Sequence, residues 1–275
     1  MEKIQQNPKI SVITAVFNGQ KYLEESIKSI LEQTFLDFEF IIVDDGSTDK
    51  TKEILKNWAK KDSRIKIITN LKNIGLTKSL NRAINIAKGE YIARQDADDI
   101  SLPQRLEKQV VFLENNPEVK FLGTFGYAIN GEGKTLREEV LPVSPQEIKN
   151  ILIKRNPFIH TSVMIRKEII DKLGGYNENF KFIQDYELWF RILRVTKGEN
   201  LPLFLVKKRY TSEMISFKNN KEQLKQRVAL LKEVIERGDY SKFCYIYLLR
   251  SYFSLACPVF LKIFINKYFF KRGIY

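Results

Sequence analysis

Apolar runs alternate with helix-spaced apolar residues along roughly the first hundred residues of the chain. Four short runs are almost entirely apolar, as buried strands are, and they cover residues 9–16, 38–43, 65–68 and 91–93. Between the runs, apolar side chains recur three and four residues apart, as on the inner face of a helix. The alternation predicts an α/β fold with a parallel sheet and helices on both of its faces.

Polar loops follow the first, second and fourth of these runs. They contain Asn18, then Asp44 and Asp45, and then Asp96 and Asp98. Because parallel strands share one direction, the loops after them meet at one edge of the sheet, where open α/β proteins bind ligands. We therefore expect these side chains to lie close together.

The loop after the fourth run carries three carboxylates within four residues, Asp96, Asp98 and Asp99. Two carboxylates in an Asp-x-Asp arrangement suit a hard divalent cation such as Mg²⁺ or Mn²⁺, which is often shared with a diphosphate. Taken alone, an acidic turn before the next helix is the commoner explanation of such a pattern.

The pattern changes after Val119. Strands are predicted at residues 119–128, 162–165 and 201–210, and helices at 145–153 and 185–193. No linker interrupts the chain before about residue 216. We expect one large domain, residues 1–216, and a C-terminal extension, residues 217–275, with helices at 222–236 and 242–270.

The composition narrows the classes of protein. At 275 residues and 44% hydrophobic, the chain has ample material for a core. Cys244 and Cys257 are the only cysteines and His160 is the only histidine, which excludes a disulfide framework and sites built from several histidines. Residues 1–9 do not have the pattern of a signal peptide, so a reducing, cytoplasmic location is expected.

The net charge of +13 is concentrated near the C-terminus. Residues 218–275 hold twelve Lys and Arg against four Asp and Glu, an excess of eight positive charges. This basic, aromatic segment suits an anionic surface, either membrane or nucleic acid. It lacks the uncharged run of about 20 residues that a spanning helix needs, so a helix lying on the membrane surface is expected. A helical pair packed on the main domain is the alternative.

Several ordered motifs now point to a family. These are Ser11-Val-Ile-Thr-Ala-Val-Phe-Asn18, Ile41-Ile-Val-Asp-Asp-Gly-Ser-Thr-Asp49, Gly89-Glu-Tyr-Ile92 with Asp96-Ala-Asp-Asp99, Gly174-Gly-Tyr176, and Gln184-Asp-Tyr-Glu-Leu-Trp189. In order and spacing, residues 9–210 resemble the inverting glycosyltransferases of family 2, of the bacterial cell-surface polysaccharide type. The resemblance implies the GT-A fold, a Rossmann-like, mostly parallel sheet flanked by helices, here with a C-terminal helical extension.

The resemblance also implies an activity. Such an enzyme moves a hexose or N-acetylhexosamine from a uridine diphosphate sugar to a glycan or lipid-linked acceptor, with Mn²⁺ or Mg²⁺ as cofactor. A lipid-linked acceptor would suit a cytoplasmic enzyme held at the inner face of the cell membrane.

Residue roles carried over from the family fall into three groups. The nucleotide-sugar site would contain Thr14, Ala15, Phe17, Asn18, Asp44, Asp45, Asn73, Arg94, Asp96, Ala97 and Asp98. The metal ligands would be Asp98, Asp96 and His160, and the acceptor would contact Tyr176 and Trp189. Phe17 would lie beside the uracil base, and Asp45, or Asp44, would accept its N–H.

Asp185 would be the general base that takes a proton from the attacking sugar hydroxyl. Each role has a structural alternative: a turn and helix cap for Asp44 and Asp45, a helix cap for Asp185, and a surface ion pair for Arg94. A loop hydrogen bond is the alternative for His160, and core packing for Trp189.

Two rival functions fit the sequence less well. A nucleotidyltransferase that makes sugar nucleotides normally shows a Gly-rich, basic loop after its first strand, whereas residues 16–21 contain one glycine and one lysine. A nucleic-acid-binding protein would use the basic C-terminal segment, but the acidic loops would repel phosphates. No nucleic acid partner is therefore expected.

Overall fold

The computed structural model describes residues 7–211 and 220–256. The protein forms two compact units, residues 1–212 and 213–275. The predicted domain boundary after residue 216 falls outside the described residues and stays a prediction.

The first half of the first unit is the predicted strand–helix alternation. Its strands are β1 (Ile10–Val16), β2 (Phe38–Asp44), β3 (Ile65–Thr69) and β4 (Tyr91–Arg94), and its helices are α1 (Leu23–Leu31), α2 (Thr51–Lys61) and α3 (Leu76–Ile86). β1 pairs in parallel with β2 and with β4, and β2 pairs in parallel with β3. Every residue of β1, β2 and β4 is buried, which explains why these strands are mostly apolar.

The second half adds strands that run in both directions. Its elements are β5 (Ile100–Ser101), α4 (Arg105–Asn115), β6 (Val119–Ile129), β7 (Thr135–Glu139), α5 (Pro145–Leu152), β8 (Met164–Arg166), α6 (Lys167–Lys172), α7 (Gln184–Val195) and β9 (Lys197–Arg209). The order across the sheet is β3-β2-β1-β4-β8-β6-β9-β5, with β7 paired to β6. β8 is antiparallel to both β4 and β6, and β9 is parallel to β6. Six of the nine strands in the described part of the protein therefore share one direction, as predicted.

Local differences from the prediction have local causes. Residues 160–162 form a 3₁₀ turn, so β8 begins at Met164 and not at Ser162, and β9 begins at Lys197, four residues before the predicted start. The elements β5, β7 and α6 were not predicted. β5 has two residues and α6 has six, while β7 is exposed along most of its length and lacks an apolar face.

Gly89 lies where two segments of backbone approach closely. α3 ends at Ile86, and Ala87 is its C-cap. Gly89 lies against β1, where a Cβ atom would come 2.4 Å from the backbone nitrogen of Ser11. The glycine is required because the two backbones approach closely.

The second unit contains two helices in its described residues, α8 (Asn220–Glu236) and α9 (Tyr245–Ala256), which pack against each other. The helix predicted at 222–236 is confirmed. The one predicted at 242–270 begins as a 3₁₀ turn, Lys242–Cys244, followed by α9, and its part beyond residue 256 lies outside the described residues. None of the described helices is both long enough and apolar enough to cross a membrane.

Candidate functional site

The loops after β1 and β2 are tied together by hydrogen bonds. Asn18 adopts a left-handed conformation with φ of 53°. Its backbone N–H donates to Ser47 Oγ at 3.0 Å, and its side-chain Oδ1 accepts from the N–H of Thr48 at 2.9 Å. Beside them Phe17 is 47% exposed, so its ring is free to contact a base, while Ala15 is buried. The predicted meeting of these two loops is confirmed.

Asp44 and Asp45 are both buried but are engaged differently. Asp45 accepts from Asn70 Nδ2 at 2.7 Å and from the backbone N–H groups of Ile74 and Gly75, each at 2.9 Å. Asp44 accepts from the N–H of Ser47 at 2.9 Å through Oδ1. Its Oδ2 is buried and has no hydrogen-bond partner among the described residues. The turn alternative therefore applies to Asp44, which also keeps an open acceptor, whereas Asp45 bonds the loop at residues 70–75 and caps no helix after β2.

The loop at residues 70–75 packs closely on the turn after β2. Gly46 has φ of 75°, and a Cβ atom there would lie 2.6 Å from the backbone carbonyl carbon of Lys72. Asn73 is exposed at the surface of this loop. Asp45 thus anchors the loop whose exposed side chain was predicted to reach the nucleoside.

Arg94, at the end of β4, forms a buried ion pair and not a surface one. Its guanidinium binds Asp96 and donates to the carbonyl of Ile13 at 3.3 Å. The Arg94 side chain is 2% exposed, and that of Asp96 is 26% exposed. The backbone N–H of Asp96 donates to Thr161 Oγ1, and Thr14 Oγ1 donates to the carbonyl of Gln95, both at 2.9 Å. These contacts hold Asp96 at the sheet edge, and Ala97 beside it packs partly against the core.

The three carboxyls of this loop differ in their electrostatics. Burial by itself would raise the pKa of Asp96, but the Arg94 guanidinium, with His160 and Lys208, lowers it below its usual value. Burial and the charge of Asp96 raise the pKa of Asp98 to about 6. Burial and the charges of Asp98 and Asp96 raise the pKa of Asp99 well above its usual value. The loop therefore disfavours three full negative charges at once, a cost that a bound cation would relieve.

Two buried arginines that sequence analysis missed hold the acidic loop. In α4, Arg105 donates to Ser101 Oγ at 2.8 Å and to the carbonyl of Arg94 at 2.7 Å. At the end of β9, Arg209 donates through Nε to the carbonyl of Asp98 at 2.8 Å. The only local signal was the placement of Arg105 and Gln109 one helical turn apart on the inner face of α4, where they bond at 3.1 Å.

Lys208 also lies on the site side of β9. Burial by itself would lower the pKa of its ammonium group, but Tyr210, Glu139 and Asp99 raise it above its usual value. Its charge in turn helps to lower the pKa values of Asp96 and His160. Lys208 is therefore a cation within electrostatic reach of the acidic loop.

Asp185 lies in the first turn of α7, and the N-cap residue of this helix is Ile183. The alternative role of Asp185 as the helix cap is therefore wrong. Asp185 Oδ2 accepts from Asn156 Nδ2 at 2.8 Å, which fixes its orientation. Glu187, two residues on, is occupied by an ion pair with Arg191 at 2.7 Å. Of the two carboxylates in this turn, Asp185 is half-buried and Glu187 is buried.

His160, which is half-buried, and Tyr176, which is buried, form a pair that interacts electrostatically with both Asp96 and Asp185. His160 Nε2 and the Tyr176 hydroxyl are 2.8 Å apart. Burial and Arg94 lower the pKa of His160 against the opposing charges of Asp96 and Asp185. Burial, with the charges of Asp185 and Asp96, raises the pKa of Tyr176 in spite of Arg94. Both shifts favour the neutral form of the ring, and both rings respond to the two carboxylates.

Tyr176 and Trp189 are buried in this conformation. Asn81 clamps the backbone of Tyr176, accepting from its N–H at 2.8 Å and donating to its carbonyl at 2.9 Å. Trp189 is fully buried and stacks on Phe121 with ring centroids 4.5 Å apart. Core packing is thus the role that the structure shows for Trp189.

Residues 7–211 and 220–256 contain no group of three or more His, Cys, Asp or Glu side chains arranged to hold a metal ion. The predicted ligand set Asp96, Asp98 and His160 is therefore not assembled as a metal centre in this structure. The donor chemistry of Asp96 and Asp98 nevertheless fits Mg²⁺ or Mn²⁺, since such ions are often bound by one or two carboxylates plus substrate phosphates.

The motifs that compose this site coincide with a known sequence family. The profile described as "Glycosyl transferase family 2" matches residues 11–174, which include the loops after β1, β2 and β4 and the 3₁₀ turn at His160. The chain belongs to glycosyl transferase family 2. It is accordingly a glycosyltransferase, and the predicted family and enzyme class are confirmed.

Curated relatives of this family 2 enzyme match most of its length. The uncharacterized glycosyltransferase MJ1057 of Methanocaldococcus jannaschii is 43% identical over 74% of this chain and 71% of its own. The amylovoran biosynthesis glycosyltransferase AmsE of Erwinia amylovora is 32% identical over 88% of this chain and 92% of its own.

Solved structures confirm the fold. S. aureus TarS 1-349 in complex with UDP-GlcNAc has a TM-score of 0.69 at 21% identity, covering 90% of this chain and 73% of TarS 1-349. The mannosyltransferase PcManGT from Pyrobaculum calidifontis, in complex with GDP-Man and Mn²⁺, has a TM-score of 0.63 at 18% identity, covering 91% of this chain and 70% of PcManGT. The predicted GT-A-like α/β architecture is therefore correct, whereas the roles of individual residues stay predictions.

Proposed function

We propose that this family 2 enzyme transfers a hexose or N-acetylhexosamine from a uridine diphosphate sugar to a glycan or lipid-linked acceptor in cell-surface polysaccharide assembly. The observation that carries the proposal is the electrostatic link between Asp96, after β4, and Asp185 of α7, at the sheet edge that the loops after the parallel strands β1 and β2 share. His160 and Tyr176 lie within the electrostatic reach of both Asp96 and Asp185. The UDP-GlcNAc bound to TarS and the polysaccharide named for AmsE support this donor and this pathway class.

The nucleoside would bind at the loops after β1 and β2. Phe17 offers an exposed ring to the uracil, and Asp45, or Asp44, accepts the uracil N–H. Asp45 has one further acceptor position on Oδ2, and Asp44 Oδ2 has no partner among the described residues. Thr14, Ala15 and Asn18 shape the floor of this pocket, and Asn73 contacts the ribose from the exposed loop at its side.

The donor diphosphate would bind beside the acidic loop. Asp98, with Asp96, would hold Mn²⁺ or Mg²⁺, which when bound supplies Lewis-acid stabilisation of the leaving nucleoside diphosphate. Arg94 keeps Asp96 ionised and in place, because burial alone would favour its protonated form. Lys208 adds a cation near the same phosphates.

Asp185 would act as the general base. It takes the proton of the acceptor hydroxyl as that oxygen attacks the anomeric carbon of the donor sugar. The new carbon–oxygen bond forms opposite the bond to the diphosphate, which breaks with its electron pair leaving on uridine diphosphate. Attack from the opposite face inverts the anomeric configuration. Asn156 orients Asp185 by donating to Oδ2 at 2.8 Å.

The acceptor would approach along Tyr176 and the first turn of α7. Trp189, buried behind them, supports this surface through Phe121. A lipid-linked acceptor requires the enzyme to work at the inner face of the cell membrane, on a surface that the second unit can provide.

Calorimetric titration of uridine diphosphate, first with Mn²⁺ and then with a chelator, tests the proposal. We expect binding that requires the metal, and weaker binding of guanosine and thymidine diphosphates. A screen of uridine diphosphate hexoses and N-acetylhexosamines against lipid-linked acceptors then identifies the reaction. Absence of uridine diphosphate binding with either additive would refute the nucleotide assignment.

A further inference from the structure

Helix α9 and the turn before it expose a row of large apolar side chains. Phe243 is 92% exposed, Ile246 64%, Leu249 65% and Tyr252 48%. Residues three apart lie on neighbouring positions of a helix surface, so these four side chains form one continuous stripe. We call Phe243, Ile246, Leu249 and Tyr252 the α9 face.

The other side of α9 already has a packing role. Leu248 and Ser251 are buried, each 6% exposed, and α9 packs against α8. Apolar side chains of this helix are therefore exposed in addition to Leu248, which is buried. A contiguous exposed apolar patch usually marks an interaction surface.

The charge of the sequence that carries the α9 face indicates the partner. As a count of sequence, residues 240–275 contain six Lys and Arg and no Asp or Glu. Lys242, next to Phe243, is exposed. Large apolar side chains accompanied only by positive charge match the boundary between the acyl tails and head groups of an anionic lipid surface.

We propose that the α9 face docks on an anionic lipid membrane, with Phe243, Ile246, Leu249 and Tyr252 inserted between the head groups. Docking itself is independent of the transferase chemistry, whereas its purpose, to bring the enzyme to a lipid-linked acceptor, rests on the proposed function. A second copy of the protein fits less well because both copies carry +13. Nucleic acid would bind the cations, but it would not bury the apolar side chains of Ile246 and Leu249.

Co-sedimentation of the full-length protein with lipid vesicles tests this surface. The vesicles are phosphatidylcholine alone, or phosphatidylcholine mixed with phosphatidylglycerol. We expect at least about tenfold stronger binding to the anionic vesicles, with a marked loss at high salt because exposed charges are screened.

The test variant carries Ile246→Gln with Leu249→Gln. We expect it to bind the anionic vesicles at least about tenfold more weakly than the wild type, since two apolar side chains no longer leave water. The matched control carries Leu136→Gln with Leu203→Gln, which makes the same change at two exposed leucines of the first unit, 54% and 40% exposed. It should bind like the wild type.

Two results would overturn the proposal. The first is absence of wild-type binding to anionic vesicles at low salt; in that case a lower unfolding temperature of the test variant would indicate cover by residues 257–275, and loss of a dimer in sedimentation velocity would indicate a second copy. The second is equal binding by the test and control variants. Metal-dependent titration of uridine diphosphate into the same proteins reports separately on the proposed function.

Discussion

Arg209 Nε donates a hydrogen bond to the backbone carbonyl of Asp98 at 2.8 Å, across 111 residues of sequence. The backbone N–H of Arg209 also donates to Asp99 Oδ1 at 2.7 Å. The guanidinium pairs with Glu25 of α1 and lies 4.3 Å from the ring centroid of Tyr22. One buried side chain therefore connects the end of β9, the start of α1 and the acidic loop, and it fixes the backbone of Asp98, whose carboxylate is proposed to bind the metal.

Arg209→Ala should weaken metal-dependent binding of uridine diphosphate by about tenfold or more, the usual cost of losing a residue that orients a metal ligand. Arg209→Lys should recover part of the affinity, because it keeps the charge but not the planar fork of donors. Calorimetry with Mn²⁺ measures both effects.

Arg64→Ala is the matched control for Arg209. Arg64 also forms an ion pair, with Asp62 at 2.7 Å, and donates to the carbonyl of Leu31 at 3.1 Å, but it precedes β3 at the opposite edge of the sheet. It should lose stability and keep its affinity for the nucleotide. Equal affinities in Arg209→Ala and Arg64→Ala would show that Arg209 has only a structural role.

Asp185→Asn should reduce the rate of sugar transfer by about 10²–10⁴-fold, the range attributed to general base catalysis. The substitution is isosteric and keeps an oxygen that accepts from Asn156, so metal-dependent binding of uridine diphosphate should stay near normal. Single-turnover transfer assays and calorimetry measure the two quantities separately.

Asn156→Ala should produce an intermediate loss of rate, because Asp185 keeps its charge and loses the donor 2.8 Å from Oδ2. Near-normal turnover by Asp185→Asn would remove Asp185 as the base. Loss of nucleotide binding in the same variant would instead indicate a disturbed fold.

The parallel half of the sheet was predictable because three of its four strands, β1, β2 and β4, are buried throughout. Their mostly apolar sequences leave little choice of element, and the direction of parallel strands brings Asn18, Asp44 and Asp96 to one edge. β7, in contrast, is an exposed strand paired to β6 at a branch of the sheet. Its pairing depends on tertiary contact, so local periodicity could not reveal it.

The buried arginines of the site were unpredictable for a related reason. Arg209 bonds Asp98 and Arg105 bonds the carbonyl of Val163, partners 111 and 58 residues away. The sequence does not distinguish an arginine that faces water from an arginine that is buried in a hydrogen-bond network. The opposite outcome holds for Trp189, whose apolar helical neighbours already favoured the core packing that the structure shows.

Asp45→Asn should lower both stability and nucleotide affinity. Its carboxylate accepts three hydrogen bonds. In asparagine an NH₂ group replaces one of the two oxygens and would face an N–H donor, at a cost of about 1–3 kcal/mol. Asp44→Asn should cost little stability, since Oδ1 can still accept from Ser47. Thermal unfolding and calorimetry with uridine diphosphate measure the two effects.

The pair of variants assigns the uracil acceptor. Reduced affinity of Asp44→Asn at unchanged thermal stability would assign Asp44. Normal affinity of Asp44→Asn together with reduced affinity of Asp45→Asn would assign Asp45. Normal affinity in both variants would contradict a carboxylate at the base.

Glu39→Gln should destabilise the fold by about 1–3 kcal/mol at neutral pH. Glu39 is buried in β2 and accepts from Lys66 Nζ at 2.5 Å, from Ser11 Oγ at 2.6 Å and from the N–H of Lys88 at 2.7 Å. Burial by itself would raise the pKa of Glu39, but these three donors hold it below its usual value. Its stabilisation is therefore complete above the unfolded-state pKa of about 4.3 and is lost as the pH falls through the lower folded-state pKa.

Urea unfolding of wild type and Glu39→Gln across that pH range measures this dependence. The difference in free energy of unfolding should shrink as the pH falls, because a protonated Glu39 and the glutamine that replaces it are both uncharged. Glu132→Gln, an exposed position in the turn after β6, is the control and should follow the wild type at every pH. A difference for Glu39→Gln that stays constant into acid would show that the Glu39 charge does not stabilise the strand, and that the loss reflects hydrogen-bond geometry alone.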